Sequence, residues 1–239
     1  VGGKEQFDEV SIQLHRTDKH DANTNEEAMA SLVISVKSKD PNLVGRLFSA
    51  KIIELALANI PGFFAQSGVK TSGPVIVYWP ALVKSKYIKE IVHVDGKDIE
   101  VEPTSQLNLE EIYYQKEPIK LEKIEIKGER ELYFGELFGT RSGDKGGCAN
   151  LGIWAKNSSA FAFLYDFLTV DKLKDLLPDL QEFKIERFEL ANINSLNFYI
   201  HDILQDGVSS NNRKDGQAKS LGEYLRSKKI KVPKSIIGD

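Results

Sequence analysis

The hydrophobic and polar positions of the first half of the chain form two regular patterns. Residues 30–38 alternate between apolar and polar side chains, which predicts a half-buried strand. After Asp40 and Pro41, apolar residues recur every three or four positions, which predicts a helix capped by Asp40 with proline at its first position. Residues 74–79 are apolar and aromatic, and they predict a buried strand.

A turn signal and a change of composition follow. Asp95-Gly96 stands between two runs rich in β-branched residues, which is a strong hairpin signal. Residues 102–130 are then mostly charged and polar, with two prolines among them. We therefore predict a first α/β domain over residues 1–110, a linker over residues 111–130 and a second domain over residues 131–239.

The second half mixes strand and helix patterns over short distances. Residues 196–204 carry apolar side chains at helical spacing, which predicts an amphipathic helix, and a last helix is predicted over about 214–228. The other predicted elements are strands at 132–138, 149–155 and 183–190 and helices at 158–169 and 170–177. Such a mixture predicts a compact α+β sandwich with helices on one face of a small antiparallel sheet. The fold class is therefore α+β with two subdomains.

Composition narrows the classes of function. The chain has 239 residues and a net charge of −3, which excludes a strongly basic nucleic-acid-binding domain. Its single cysteine, Cys148, excludes a disulfide framework and a cysteine-rich zinc site. No apolar run approaches the roughly 18 residues of a membrane span, and no signal peptide is visible, so we expect a cytoplasmic protein. The chain starts at Val1, which suggests that an upstream region is absent.

Residues 141–147 (RSGDKGG) are the strongest candidate for a binding site. They combine three glycines, two cations, a carboxylate and a hydroxyl between two predicted strands. Glycines let successive backbone amides form an anion-binding concavity, and Arg141 and Lys145 would add positive charge. The ligand would then be a phosphate or a carboxylate. The alternative is an ordinary hairpin turn with solvated charges.

Three weaker signals stand apart from this run. Cys148 lies beside it, but no histidine lies nearby in sequence to activate a thiol. Residues 207–219 are polar and bounded by glycine, so Ser209 could cap the last helix, whose start is a weak anion site. One local cluster has metal-ligand character without a recognised spacing, and no metal is assigned to it. Its members are His15, Asp18, His20 and Asp21.

Two long segments resemble a known family. Residues 141–155 (RSGDKGGCANLGIWA) and 190–228 (LANINSLNFYIHDILQDGVSSNNRKDGQAKSLGEYLRSK) closely resemble the acyclic terpene utilisation A family. In the first half, FDEVSIQLHRTD, DPNLVGRLFSAKIIELALANIPGFF and VYWPALV resemble the segment that precedes the family's C-terminal ferredoxin-like domain. The resemblance covers residues 7–228.

The resemblance implies a ferredoxin-like fold for the second domain. Relatives occur beside acyl-CoA enzymes that degrade branched isoprenoid acids, which implies a role with acyl-CoA or carboxylate metabolites. Family members typically carry a further N-terminal domain, and the resemblance leaves the cofactor unknown. The residues that match the family in the two segments are Arg141, Ser142, Gly143, Asp144, Lys145, Gly146, Gly147 and Asn150, then Gly207, Asp215, Gln217 and Lys219.

Two functional hypotheses remain open. In the first, the chain is part of an enzyme that acts on a CoA thioester or a branched carboxylic acid, with Asp144 and Lys145 as catalytic acid–base residues. The small anionic metabolite would be bound by Arg141, Ser142, Gly143, Gly146, Gly147, Asn150, Ser209, Asp215 and Lys219. In the second, the chain is a non-catalytic assembly module. Its partner would be a second copy in a homo-oligomer or a complementary N-terminal domain or subunit, and neither hypothesis involves nucleic acid or a membrane.

Overall fold

The computed structural model describes residues 1–56, 58, 60–65, 72–101, 119–124 and 128–237. Two compact units make up the chain: the first is Val1–Ile76 with Asn212–Lys214, and the second is Val77–Asn211 with Asp215–Asp239. Most of the predicted linker, 111–130, lies outside the described residues. The predicted domain boundaries therefore stay a prediction.

The first unit contains a two-stranded sheet. Strand β1 (Glu9–His15) pairs antiparallel with β2 (Ser31–Lys37), in a register that places Ile12 opposite Ile34 and Leu14 opposite Leu32. The predicted strand over residues 30–38 is confirmed. Because side chains alternate along a strand, these apolar pairs lie on one side of the sheet.

A helical segment follows in two pieces. Helix α1 (Pro41–Val44) begins after Asp40, whose carboxylate accepts a hydrogen bond of 2.9 Å from the amide of Asn42, as the sequence predicts. Helix α2 (Arg46–Ala56) is separated from α1 by Gly45, whose backbone is not helical. One continuous helix was expected, and the break at Gly45 corrects that expectation.

A β-hairpin lies in the second unit, just before residue 102. Strands β3 (Glu90–Val94) and β4 (Lys97–Val101) pair antiparallel across Asp95-Gly96, both of which have positive φ, at 49° and 72°. The hairpin prediction is confirmed, because this turn type needs positive φ at both central positions. The strand predicted over residues 74–79 is wrong: these residues pair with no strand in the described part of the chain, and Trp79 is 86 % exposed.

The rest of the second unit is a four-stranded antiparallel sheet with helices packed on one face. The elements are, in chain order, β5 (Glu129–Tyr133), α3 (Phe134–Leu137), β6 (Phe138–Lys145), β7 (Cys148–Ala155), α4 (Ser158–Phe167), α5 (Val170–Leu176), β8 (Ile185–Leu190), β9 (Ser195–Ile200), α6 (Leu221–Arg226) and β10 (Lys229–Pro233). The strand order is β6-β7-β9-β8, and β5 pairs separately with β10. The predicted antiparallel sheet with helices on one face is confirmed.

The core lies between this sheet and the helices. Alternate residues of the two central strands, such as Leu151, Ile153 and Phe198, are fully buried. Helices α4, α5 and α6 contact β7, β8 and β6 respectively. We call the opposite side of the sheet, away from these helices, the outer face.

Three element predictions in this unit are wrong. Residues 196–200 form strand β9 rather than a helix, because Leu196, Phe198 and Ile200 also alternate and pair with strands on both sides. The last helix starts only at Leu221. The strand predicted over residues 132–138 is interrupted by α3.

Candidate functional site

The RSGDKGG run is not a loop. Residues 141–145 are the last five of β6, paired in register with β7, and only Gly146 and Gly147 form the turn. Gly146 has a φ of 64°, which favours glycine. Because the amides of an extended strand point alternately to its two sides, those of residues 141–145 do not converge on one anion. The predicted amide concavity is therefore wrong.

The strand places neighbouring residues of the run on opposite faces. Ser142 and Asp144 lie on the helix side, whereas Arg141, Gly143 and Lys145 lie on the outer face. Asn150 of β7 lies opposite Gly143, so it also belongs to the outer face, and its amide donates 3.3 Å to the side chain of Asn197. The residues predicted to share one site are thus divided between two surfaces.

Ser142 is part of the internal structure. Its hydroxyl accepts a 2.9 Å hydrogen bond from the amide of Gly222 and donates at 3.3 Å to the carbonyl of Lys219. The side chain is almost fully buried. Ser142 therefore holds the start of α6 against the edge strand β6.

Asp215 also has its oxygens engaged locally. Its carboxylate accepts hydrogen bonds from the amides of Lys219 and Ser220, at 2.8 and 2.9 Å, and from the hydroxyl of Ser220, at 2.7 Å. These contacts cap the turn that leads into α6. Ser209 is exposed and lies twelve positions before α6, so the prediction that it caps this helix is wrong.

The edge strand carries more cations than carboxylates at this end. The ammonium of Lys219 lies 3.8 Å from the carboxylate of Asp144, and both side chains are partly exposed. Arg141 and Lys145 are exposed and have no ion-pair partner among the residues that the structure describes. The edge is thus locally positive, but nothing here tests the acid–base roles of Asp144 and Lys145, which stay predictions.

Gly147 packs tightly, since a Cβ there would lie 2.0 Å from the carbonyl of Gln205.

A cavity of about 480 Å³ lies elsewhere in the second unit. It is bounded by β5 and β10 on one side and by α4 and α5 on the other. Phe163, Phe167 and Leu176 provide its apolar wall, while Lys229 is paired with Glu131 at 3.2 Å. None of the residues that line this cavity belongs to the predicted site.

Cys148 lies close to two residues that are far from it in sequence, Tyr199 and Asp202. Tyr199 lies on the neighbouring strand, and hydrogen bonding to Cys148 raises the pKa of the Tyr199 hydroxyl above its usual 10.0. The amide of Asp202 lies 3.5 Å from the thiol sulfur. These residues come together because β7 and β9 are paired antiparallel. The sequence could have predicted their proximity only if residues 195–200 had been predicted as a strand.

His201 and Glu186 form a second contact on the outer face. The imidazole Nε2 of His201 lies 2.8 Å from a carboxylate oxygen of Glu186, and Lys184 lies 3.1 Å from the same oxygen. Hydrogen bonding to Lys184, and then to His201, lowers the pKa of Glu186 below its ordinary value. His201 falls within the helix predicted over residues 196–204; it instead follows β9 and is half-buried.

In the histidine–aspartate cluster near residue 20, Asp18 is bound to a neighbouring arginine and the cluster does not form a metal site within the described residues. Asp18 accepts two hydrogen bonds of 2.7 Å from the guanidinium of Arg16, and that side-chain hydrogen bonding lowers the pKa of Asp18. Within the described residues, no three histidine, cysteine, aspartate or glutamate side chains are close enough to hold a metal ion.

The outer face carries large apolar side chains that the sequence did not single out. Trp154, Phe188 and Leu190 are 45 %, 47 % and 41 % exposed, and they lie on β7 and β8 near one end of the sheet. The indole of Trp154 lies across Gly139, where a Cβ would come within 2.1 Å of the ring. All three residues lie on the outer face, and we call them the apolar patch.

Comparison with known proteins gives a family for both halves of the chain. A family model described as the AtuA ferredoxin-like domain matches residues 134–231, and one described as acyclic terpene utilisation family protein AtuA matches residues 2–94. No curated protein and no solved structure matches the chain. In the described residues, no helix has the length and apolar character needed to cross a membrane. The chain belongs to the acyclic terpene utilisation (AtuA) family, which places it broadly in terpene catabolism, and carries the family's ferredoxin-like domain.

Proposed function

We propose that the ferredoxin-like domain is a non-catalytic assembly module of a terpene-utilisation protein. The observation that supports this proposal is how the domain uses its polar and apolar groups. Polar residues once expected to bind a ligand satisfy internal hydrogen bonds, whereas large apolar residues remain exposed on the outer face.

The internal use of polar groups is clearest at the edge strand. The Ser142 hydroxyl joins β6 to the start of α6, and the Asp215 carboxylate caps the turn before α6. Each of these groups has partners within the domain. A catalytic group, in contrast, needs a free donor or acceptor that faces a bound substrate.

The exposed apolar patch is of the kind that marks an interface. Single exposed apolar residues are normal, but several large ones on one face of a folded domain often mark a surface that contacts another molecule. Trp154 and Phe188 are aromatic, and aromatic residues are enriched in the centres of protein interfaces. The patch lies on a regular sheet, which offers a flat surface for a partner.

Self-association of the purified chain tests this function. Sedimentation velocity over roughly 1–200 μM, a range chosen to cover weak interfaces, should show a species larger than the monomer that increases with concentration. A chain that sediments as a monomer at every concentration would contradict the assembly function.

One observation favours a second candidate, the binding of an acyl-CoA or a carboxylate. Arg141 and Lys145 lie on the same side of β6 and lack ion-pair partners among the described residues. The two residues lie about 13 Å apart along the strand, so they can contact separate anionic groups of one extended ligand such as CoA. This candidate keeps the predicted anionic metabolite but needs no amide concavity.

Calorimetric titration with CoA and with a branched short-chain acyl-CoA tests this candidate. We expect the double variant Arg141→Ala, Lys145→Ala to lose at least about tenfold in affinity, since each charge-assisted contact contributes roughly 1.5–3 kcal/mol. Lys174→Ala, on α5, removes a lysine outside the sheet and should have no effect. Equal binding by the double variant and the control would exclude the candidate.

A further inference from the structure

We infer that the outer face is a homodimer interface, in which two copies of this chain pack face to face about a twofold axis parallel to the strands. This inference rests on the proposed assembly function and identifies its partner as a second copy. The axis would pass between β7 and β9, the two central strands. It would place β6 of one copy over β8 of the other, and β7 over β9.

The register of the sheet arranges the outer-face residues in rows across the strands. The first row, from β6 to β8, is Gly139, Trp154, Ser195 and Leu190. The Trp154 indole lies across Gly139, so this row is apolar at both ends and has the small residue Ser195 between them. The twofold axis reverses the row in the second copy, so Leu190 of each copy would pack on the Trp154 indole of the other.

The next rows are complementary in charge. In the second row Arg141 lies at the β6 end and Phe188 at the β8 end, so the axis places each guanidinium over an aromatic ring of the other copy. In the third row Glu186 of the second copy would approach Gly143, which is buried and has the Lys219 ammonium beside it, 3.0 Å from where a Cβ would lie. Because Arg141 and Lys145 flank Gly143 on the outer face, that carboxylate would lie between two cations.

The alternative twofold axis, perpendicular to the strands, is unfavourable. It would place β6 of one copy over β6 of the other. Arg141 and Lys145 would then face the same cations, and like charges in an interface cost several kcal/mol. The axis parallel to the strands also brings Lys145 of one copy near Lys184 of the other, but Lys184 is already paired with Glu186 at 3.1 Å. The contacts of Arg141 with Phe188 and of Glu186 with the cations of β6 therefore favour this axis.

The area of the face fits a weak dimer. Strands are about 4.8 Å apart and rise about 3.4 Å per residue, so four strands of seven residues cover roughly 450 Å² on each copy. The two copies together would bury roughly 900 Å², which is below the roughly 1,200–2,000 Å² of stable specific interfaces and within the range of weak, transient ones. Facing sheets pack about 10 Å apart with their strands within about 30°, a spacing that side chains on both faces can fill. We expect dissociation in the micromolar range.

Sedimentation of the full chain with matched variants tests the surface. Phe188→Glu places a carboxylate in the apolar patch and should weaken the dimer at least tenfold. Tyr224→Glu makes the same change at an exposed aromatic residue of α6, on the helix side, and should not alter it. Thermal melting of both variants checks that the domain remains folded.

Charge reversal tests the axis. Glu186→Arg would place three cations together and should weaken the dimer, whereas the double variant Glu186→Arg, Arg141→Glu should recover most of the affinity. A structural effect of losing the contact between Glu186 and His201 would not be rescued by a change on β6.

Cross-linking provides a measurement that does not depend on weakening the dimer. Asn197 lies on β9 next to the proposed axis. In a Cys148→Ser background, Asn197→Cys should be joined to its counterpart by a short bismaleimide, and Asp175→Cys on α5 should not.

The outcomes separate this inference from the proposed function. A wild-type chain that remains monomeric contradicts both. A chain that associates, but whose association survives Phe188→Glu with no cross-link at position 197, assembles through another surface and contradicts the inference alone. Loss of association by Phe188→Glu without charge-reversal rescue or cross-linking contradicts the proposed axis.

Discussion

The two units use similar strand patterns with opposite results. In the first unit, Ile12, Leu14 and Leu32 share one side of the β1–β2 sheet and are 53 %, 60 % and 59 % exposed. In the second unit, Leu196 and Phe198 alternate in the same way along β9 and are fully buried. Every buried residue in the described part of the chain lies at position 132 or later.

The difference shows that alternation predicts a strand but not its burial. A sheet buries one face only when a second layer packs against it. The four-stranded sheet has α4, α5 and α6 on its inner face, whereas the two-stranded sheet of the first unit keeps its apolar pairs exposed. Two-stranded sheets are marginally stable by themselves. The buried core that stabilises the described part of the chain therefore lies in the second unit.

The largest expected effect compares the two strand patterns directly. Phe198→Ala should lower the free energy of unfolding by about 3–5 kcal/mol, because it leaves a cavity under the helices. Leu14→Ala should change it by less than about 1 kcal/mol, since that side chain is mostly exposed. Urea unfolding followed by circular dichroism measures both. Similar losses would mean that the first unit has a packed core of its own.

A somewhat smaller effect distinguishes two glycines within the second unit. Gly147→Ala would bring a Cβ within 2.0 Å of the Gln205 carbonyl and should cost about 1–3 kcal/mol, because the backbone must move. Gly152→Ala meets atoms no nearer than 3.7 Å and should be close to neutral. Denaturant midpoints of the two variants give the comparison, and a neutral Gly147→Ala would show that the turn shifts freely.

The hydrogen bond that Ser142 of the edge strand β6 accepts from Gly222 is expected to contribute less to the free energy of unfolding than the packing at Gly147. Ser142→Ala leaves the buried amide of Gly222 without its acceptor, at a cost of about 1–2 kcal/mol. Ser227→Ala removes an exposed hydroxyl that contacts the Tyr224 carbonyl and should cost less than about 0.5 kcal/mol. If both variants unfold at the wild-type urea concentration, Ser142 does not secure α6.

The smallest effect is a titration on the outer face. Tyr199 should ionise above its usual 10.0, and Cys148→Ala should return its pKa toward that value. Because the folded-state pKa is raised, the associated stability is present below pH 10.0 and is lost as pH rises through the folded value. Ultraviolet absorbance of tyrosinate, corrected with Tyr199→Phe, measures the shift. An unchanged titration in Cys148→Ala would exclude the thiol as its cause.

Local signals predicted the elements whose causes are local. The Asp40 cap and the Asp95-Gly96 hairpin are confirmed, because each depends on one side chain or on the φ of two residues. The helix predicted at 158–169 is confirmed in large part as α4, which Asn157 caps. The family was likewise recognisable from residues 141–155 and 190–228, which lie largely within the ferredoxin-like match.

The candidate site was predicted less well. Residues 141–147 have the composition of a binding loop, but pairing with β7 makes most of them a strand. The Trp154 and Phe188 patch gave no distinct signal, because exposed and buried aromatic residues look alike in sequence. Only the order of the strands brings these two residues onto one surface.

The sequence by itself determined the caps and turns of an α+β protein, because these signals act over a few positions, and the segments at 141–155 and 190–228 carried its resemblance to the AtuA family. Tertiary structure decided that residues 195–200 are a strand, since Leu196 and Ile200 fit both the helical and the strand periodicity until β7 and β8 supply hydrogen-bonding partners. It also decided which apolar residues are buried. Burial depends on whether another layer covers a face, and that is a property of long-range contacts.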